Sequence, residues 1–125
     1  MITHRIEDLP TYQPAGHAGV INRLLVGQES LGIEDVSIWH GLLDPGGHSD
    51  LHVHPTSRQI YIGVTGTMVV DDGTNEVELA ALTTAVFEAG ENHRISNRSA
   101  DAAEVPDGAL AASLPRYLLV VRYAR

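Results

Sequence analysis

A succession of short apolar runs, separated by turns roughly every ten residues, limits the fold of this chain more than any other feature. The clearest of these runs are 19–26, 36–43, 60–64, 67–70, 85–87 and 118–123. The last of them combines β-branched and aromatic residues, as strands do. No convincing helical period appears outside the alanine-rich stretch 102–114. Many short strands with frequent turns are typical of an all-β sandwich or barrel.

Two turns are especially well marked. Asp71-Asp72-Gly73 lies between apolar runs, and an Asp-Gly pair in that position predicts a tight β-hairpin. Asp44-Pro45-Gly46-Gly47 combines the residues that favour turns, and we expect it to close the second run. Ala89-Gly90 predicts a further turn ahead of a histidine-bearing segment.

The length of 125 residues suits one domain with one hydrophobic core, so we expect a single domain over residues 1–125. Residues 1–18 are broken by two prolines and a glycine, and are expected to form an irregular N-terminal arm. Residues 98–115 are interpreted as a long loop between two strands. Such a loop is either a lid over a cavity or a plain insertion.

The charge of the chain excludes some classes of partner. A formal net charge of −8 argues against nucleic acid and against anionic lipid surfaces. The chain has no cysteine, which excludes disulfides, zinc-thiolate sites and thiol nucleophiles. Neither a secretion signal nor a membrane-spanning apolar stretch is visible, so we expect a cytoplasmic protein.

Four residues form a candidate metal shell. His52 and His54 are separated by one residue, so their imidazoles lie on the same face if the segment is a strand. Gln59 and His93 add an oxygen and a third imidazole nitrogen. A His-x-His pair alone is common at sites without a metal, but three imidazoles and an oxygen suit one divalent transition metal ion. Zinc, nickel, iron, manganese and copper all fit this set of ligands.

The spacing of these residues resembles that of the cupin superfamily. In the first motif Gly46 is followed after five residues by His52, then by His54, Gln59 and Gly66. In the second, Gly90, His93 and Asn97 match the family's glycine, histidine and asparagine. The resemblance implies a cupin-type double-stranded β-helix, or jelly-roll barrel, with a metal ion held by His52, His54, His93 and the residue at 59.

Three positions depart from the cupin pattern. The family glutamate is replaced by Gln59, its proline by Glu88 and its first second-motif glycine by Leu82. The last two changes affect turn shape. The first matters chemically, because a neutral Gln59 leaves a divalent ion with its full charge. Some cupins that act on sugar-derived or polyketide substrates are similar in using three histidines and a glutamine.

Three further residues are candidate catalytic groups. His48 and Asp50 share strand parity with His52, so either is expected at the cavity mouth as a general base. Both could equally be exposed residues after the Gly46-Gly47 bend. Tyr61 has the parity of Gln59 and could line the pocket or simply pack in the core. The segment 46–54 also looks like that of oxalate decarboxylases, which have an arginine where this chain has Ser49, and this departure argues against oxalate.

Three functions are compatible with these patterns. The first is an isomerase, cyclase or lyase that uses the metal as a Lewis acid on a small oxygen-rich substrate. The second is a three-histidine iron or copper dioxygenase, and the third is a non-catalytic module that binds a small ligand. Fold alone cannot choose among them. The neutral shell favours the first. Size and family resemblance also predict a homodimer, because pairing would cover exposed sheet edges.

Overall fold

A computed structural model describes residues 1–99 and 116–124. Nearly all of its regular structure is strand, and helix is limited within that part of the chain to a 3-10 turn at Ile6–Asp8 and a short α1 at Gln28–Leu31. The strands are β1 His17–Val26, β2 Val36–Ser49, β3 His52–Val53, β4 Ser57–Thr65, β5 Met68–Asp71, β6 Glu76–Leu79, β7 Thr84–Phe87, β8 Asn92–Ser96 and β9 Arg116–Ala124.

All strand pairs are antiparallel, and the strands join into one nearly closed sheet in the order β6-β5-β8-β2-β9-β4-β7. Outside that path β1 pairs with β2, and β3 pairs with β8. Strand neighbours are far apart in sequence, as β2 beside β9 and β5 beside β8 illustrate. This is the predicted all-β jelly-roll barrel. No helix of the described part is long and apolar enough to cross a membrane.

The N-terminal segment joins the barrel earlier than its sequence suggests. The strand β1 begins at His17, within the arm predicted over residues 1–18, because His17 pairs in register with Ser49. Tyr12 also forms an isolated bridge with Asn22 of β1. Backbone pairing, which no side-chain pattern in residues 1–18 announces, therefore ties the end of the arm to the barrel.

The predicted turn at Asp44-Pro45-Gly46-Gly47 is wrong, because β2 runs through these residues to Ser49. The segment instead forms a bend inside a long strand, and the register of β1 with β2 shifts between Ala18 and Val20. A side chain at Gly47 would place its Cβ 2.4 Å from the carbonyl oxygen of Gly19, so the two strands can approach this closely only with glycine there.

The hairpin predicted at Asp71-Asp72-Gly73 is confirmed. The strands β5 and β6 flank it, with Val70 opposite Val77. The Asp72 carboxylate accepts hydrogen bonds from the backbone amides of Thr74 and Asn75, which closes the turn.

The hydrophobic core fills the inside of the barrel and merges with a cavity at one end. Its buried members are Val20, Leu43, Tyr61, Met68, Val70, Leu79, Phe87, Ile95, Leu118 and Val120. Several of them also line the cavity. The lid predicted over residues 98–115 lies, apart from its first two residues, outside the described part of the chain.

Candidate metal centre

Three histidines converge at the junction of β3 and β8. His52 and His93 are register partners in the β3–β8 pair, so the strand pairing itself brings two imidazoles together. Their ring centroids are 4.2 Å apart, and His54 lies 5.1 Å from His52 and 5.0 Å from His93. One nitrogen from each ring lies within 4.8 Å of the others. The arrangement brings together the three histidines that the sequence nominates as ligands.

Backbone carbonyls orient two of these rings. The Nδ1 of His52 lies 2.7 Å from the carbonyl oxygen of Asp50, and the Nδ1 of His93 lies 3.1 Å from that of Glu91. A carbonyl oxygen only accepts, so each Nδ1 carries the proton and donates it. The Nε2 of each ring is then left with a free lone pair. This arrangement is the one that fixes a metal-binding histidine in its ligating tautomer.

The cluster fits a metal ion. The Nε2 atoms of His54 and His93 are buried and have no hydrogen-bond partner among residues 1–99 and 116–124. A buried polar atom without a partner is costly, so such atoms call for an explanation. A divalent ion with nitrogen ligands would supply the missing partner at both atoms, and His52 completes a three-nitrogen face.

The protonation of the rings also favours metal binding. Burial lowers the pKa of His54 to about 4, and the positive charge of Arg122 acts in the same direction. Burial likewise lowers the pKa of His93 to about 4, against the opposing hydrogen bond to Glu91. Both imidazoles are therefore neutral at physiological pH, which is the form that binds a metal.

A cavity of about 550 Å³ adjoins the cluster. His52 and His54 line it, while His93 is only 1% exposed. Much of the wall is apolar and comes from Val20, Trp39, Leu43, Ile95, Leu118 and Val120. The volume falls in the range of small-molecule binding sites. The few polar groups that point into the cavity are also typical of such sites.

Gln59 lies in the cavity wall within a chain of hydrogen bonds. It is 3% exposed, its Nε2 donates to the Tyr61 hydroxyl at 2.9 Å, and its Oε1 accepts from the Nε of Arg122 at 2.9 Å. Arginine can only donate, so the orientation of the amide follows from its partner. An amide oxygen has two lone pairs, so Oε1 keeps one free for a further partner.

Tyr61 also lines the cavity and is 2% exposed. Burial raises its pKa well above the ordinary value for a phenol, and the hydrogen bond from Gln59 opposes this effect only in part. Tyr61 therefore stays protonated and can donate its own proton in a hydrogen bond.

The other two predicted catalytic residues are placed differently. Asp50 lines the cavity at an exposed position. His48 is exposed, lies outside the residues that line the cavity, and its Nδ1 contacts the carbonyl of Gly46 at 3.1 Å. The strand alternation of side chains does not extend from His48 to His52, because β2 ends at Ser49 and β3 begins at His52. Two residues outside the strands separate them.

Three residues that line the cavity are not among the candidates named from the sequence. Arg122 alternates with the buried Leu118 and Val120 along β9, so the parity of the last strand could have nominated it. Trp39 could have been found in the same way on β2. His17 lies in an aperiodic segment that carries no such signal, although its ring is 5.9 Å from that of His52.

Known proteins resemble this chain in sequence pattern and in fold. The family model described as the cupin domain matches residues 39–110. This span contains every residue of the three-histidine cluster. No curated protein sequence matches the chain.

Solved structures with the same fold come from several bacteria. A predicted oxalate decarboxylase from Thermotoga maritima is 20% identical, with a TM-score of 0.79 over 99% of this chain and 100% of that chain. The polyketide cyclase RemF from Streptomyces resistomycificus is 17% identical, with a TM-score of 0.74 over 100% and 80% of the two chains. A sugar phosphate isomerase from Silicibacter pomeroyi is 18% identical, with a TM-score of 0.73 over 99% and 76%. At these identities the likeness concerns the fold.

Proposed function

Because this chain belongs to the cupin family, we propose that it is a metal-dependent enzyme that uses a divalent ion as a Lewis acid on a small, oxygen-rich substrate, in an isomerisation, cyclisation or lyase reaction. The observation that carries the proposal is the pair of buried Nε2 atoms of His54 and His93, for which the described residues supply no hydrogen-bond partner. They lie beside a cavity large enough for a small molecule.

The proposed ligands are His52, His54 and His93, with Gln59 as a fourth. The second lone pair of the Gln59 Oε1 is available for this role, since Arg122 uses only one. None of these four side chains carries a negative charge. A bound divalent ion would therefore keep its full positive charge, with which it polarises a substrate oxygen.

The chain's own residues supply proton donors and acceptors around the cavity. Tyr61 is protonated and is held in place by Gln59, so it can donate a hydrogen bond to a substrate oxygen. Asp50 lies at the cavity wall and is the candidate general base. A reaction that moves a proton within its substrate requires a proton donor and a proton acceptor in the same cavity.

The proposal is tested by turnover. Protein loaded with zinc, nickel or manganese is incubated with a panel of small keto and hydroxy compounds, and rearranged products are followed by NMR. We expect at least one compound to be converted, more slowly by Tyr61→Phe and not at all by His93→Ala. Equal conversion by His93→Ala would contradict the proposal. Oxygen consumption with iron or copper would instead assign the protein to the dioxygenases.

A further inference from the structure

Arg122 brings a positive charge into the cavity wall beside the three histidines. It lies on β9, opposite Gln59 of β4, and lines the cavity. His52 and His54 line the same cavity, so the guanidinium and the histidine cluster face one space. The cavity therefore contains a cation that the metal ligands do not explain.

In the described part of the chain, this cation has no acidic partner. Four other described arginines form ion pairs with carboxylates: Arg5 with Glu7, Arg58 with Glu88, Arg94 with Asp71, and Arg98 with Glu76. Within residues 1–99 and 116–124, no carboxylate forms an ion pair with Arg122. The side chain is partly buried, so its charge is held partly away from water. A half-buried charge without a counter-charge is unfavourable unless a ligand supplies one.

The guanidinium is held rigidly. Its Nε donates to the Gln59 Oε1 at 2.9 Å, and its central carbon lies 4.6 Å from the centre of the Trp39 ring. These two contacts hold the group between the Gln59 amide and the Trp39 ring. The two Nη groups make no hydrogen bond to a described residue. They form a parallel pair of donors, which matches the two oxygens of a carboxylate.

We propose that Arg122 binds the carboxylate of the substrate, so that the natural ligand is a small organic acid with an apolar body. This inference rests on the proposed function for the role of the ligand as a substrate. The apolar wall formed by Trp39, Leu43, Leu118 and Val120 accommodates the hydrocarbon part. A metal-bound cavity with Arg122 would be strongly cationic within a chain of net charge −8, and so would select an anion.

The test uses a matched pair of ligands. Benzoate and benzamide have nearly the same shape and differ in charge, and their binding is measured by NMR titration on the protein as purified and again after metal removal. We expect benzoate to bind at least about tenfold more tightly than benzamide, because hydrogen bonds to charged groups contribute at this level. Equal binding of the two compounds would overturn the proposal, as would binding of inorganic phosphate without a preference for benzoate.

Two variants test whether the preference for benzoate over benzamide comes from Arg122. Arg122→Gln keeps a donor for Gln59 but removes the charge, and it should abolish the preference for benzoate. Arg58→Gln is the matched control, since Arg58 is bound to Glu88 and Tyr123 outside the cavity, and it should keep the preference. A preference that survives in Arg122→Gln would refute the assignment. The titration of metal-free protein requires neither metal nor turnover. A protein that binds benzoate through Arg122 but converts no compound would therefore contradict only the proposed function.

Discussion

Leu82 occupies a position at which the family motif has a glycine, and its backbone conformation shows the consequence. Its φ is 61°, the one positive value among the described non-glycine residues. The cupin motif has glycine at this position, so the backbone keeps the left-handed conformation although the side chain has changed. A leucine there is strained by roughly 1 kcal/mol or more, because its Cβ crowds the neighbouring carbonyl.

Leu82→Gly is therefore expected to stabilise the protein. The side chain is 92% exposed, so little burial is lost. Relief of strain should exceed the added entropy of the unfolded chain, with a net gain below about 1 kcal/mol. Urea unfolding measures the change. Val77→Gly, at an exposed strand position, is the control and should destabilise. A loss of stability in Leu82→Gly would show that the left-handed turn is not strained.

Gln59 is both the proposed fourth metal ligand and a hydrogen-bond partner of Arg122. Gln59→Glu is expected to raise zinc affinity, because a carboxylate adds charge attraction to the ion. The same carboxylate would pair with Arg122 and so weaken benzoate binding about tenfold. Zinc competition and benzoate titration measure the two effects. Gln13→Glu adds the same charge at an exposed position and should change neither. Opposite shifts, with weaker zinc and tighter benzoate binding, would contradict this description of Gln59.

The elements of the barrel could be predicted where local chemistry decides them. Asp72 and Gly73 form their hairpin through contacts within the turn, so the sequence pattern is sufficient there. The Asp44–Gly47 segment has an equally strong turn composition, yet it stays within β2 because β1 pairs with the residues on either side of it. That pairing depends on residues far away in the sequence. Arg122 illustrates the same limit, since its neighbours Gln59 and Trp39 are brought to it by strand order.

Asn97 links β8 to β2 and so supports His93. It is 1% exposed, its Nδ2 donates to the Leu43 carbonyl at 2.9 Å, and its Oδ1 accepts from the Ser99 amide at 3.1 Å. Asn97→Ala is expected to destabilise the protein by about 1–3 kcal/mol, because buried groups lose their partners. Zinc affinity should fall as well. Asn92→Ala, at an exposed position on β8, is the control. An unchanged unfolding curve for Asn97→Ala would show that this link is dispensable.

At the scale of the whole molecule, the barrel leaves edges that a second copy could cover. The strands β6 and β7 end the sheet path, and Val77 and Val86 on them are 63% and 51% exposed. Exposed apolar edge strands favour pairing, so we expect a homodimer. Light scattering at micromolar concentration measures the mass. A monomer mass would refute the expectation. Lysine at position 86 should shift the protein toward monomer, because a charged edge opposes pairing.

The barrel and its three histidines could be predicted from motif spacing, while the chemistry of the cavity could not. His52, His54 and His93 are specified by two short motifs, and strand pairing brings them together. His17, Trp39 and Arg122 come from three other strands. Their meeting depends on closure of the sheet, which no local pattern encodes.

Metal content shows whether the three histidines form a metal centre. Protein purified without added metal is analysed by mass spectrometry for bound ions, and then titrated with zinc after chelation. We expect one divalent ion per chain, lost in His52→Ala, His54→Ala and His93→Ala. It should be retained in His48→Ala, because His48 lies outside the cavity. A wild-type protein that takes up no stoichiometric metal, or a His93→Ala variant that binds zinc as tightly, would contradict the account.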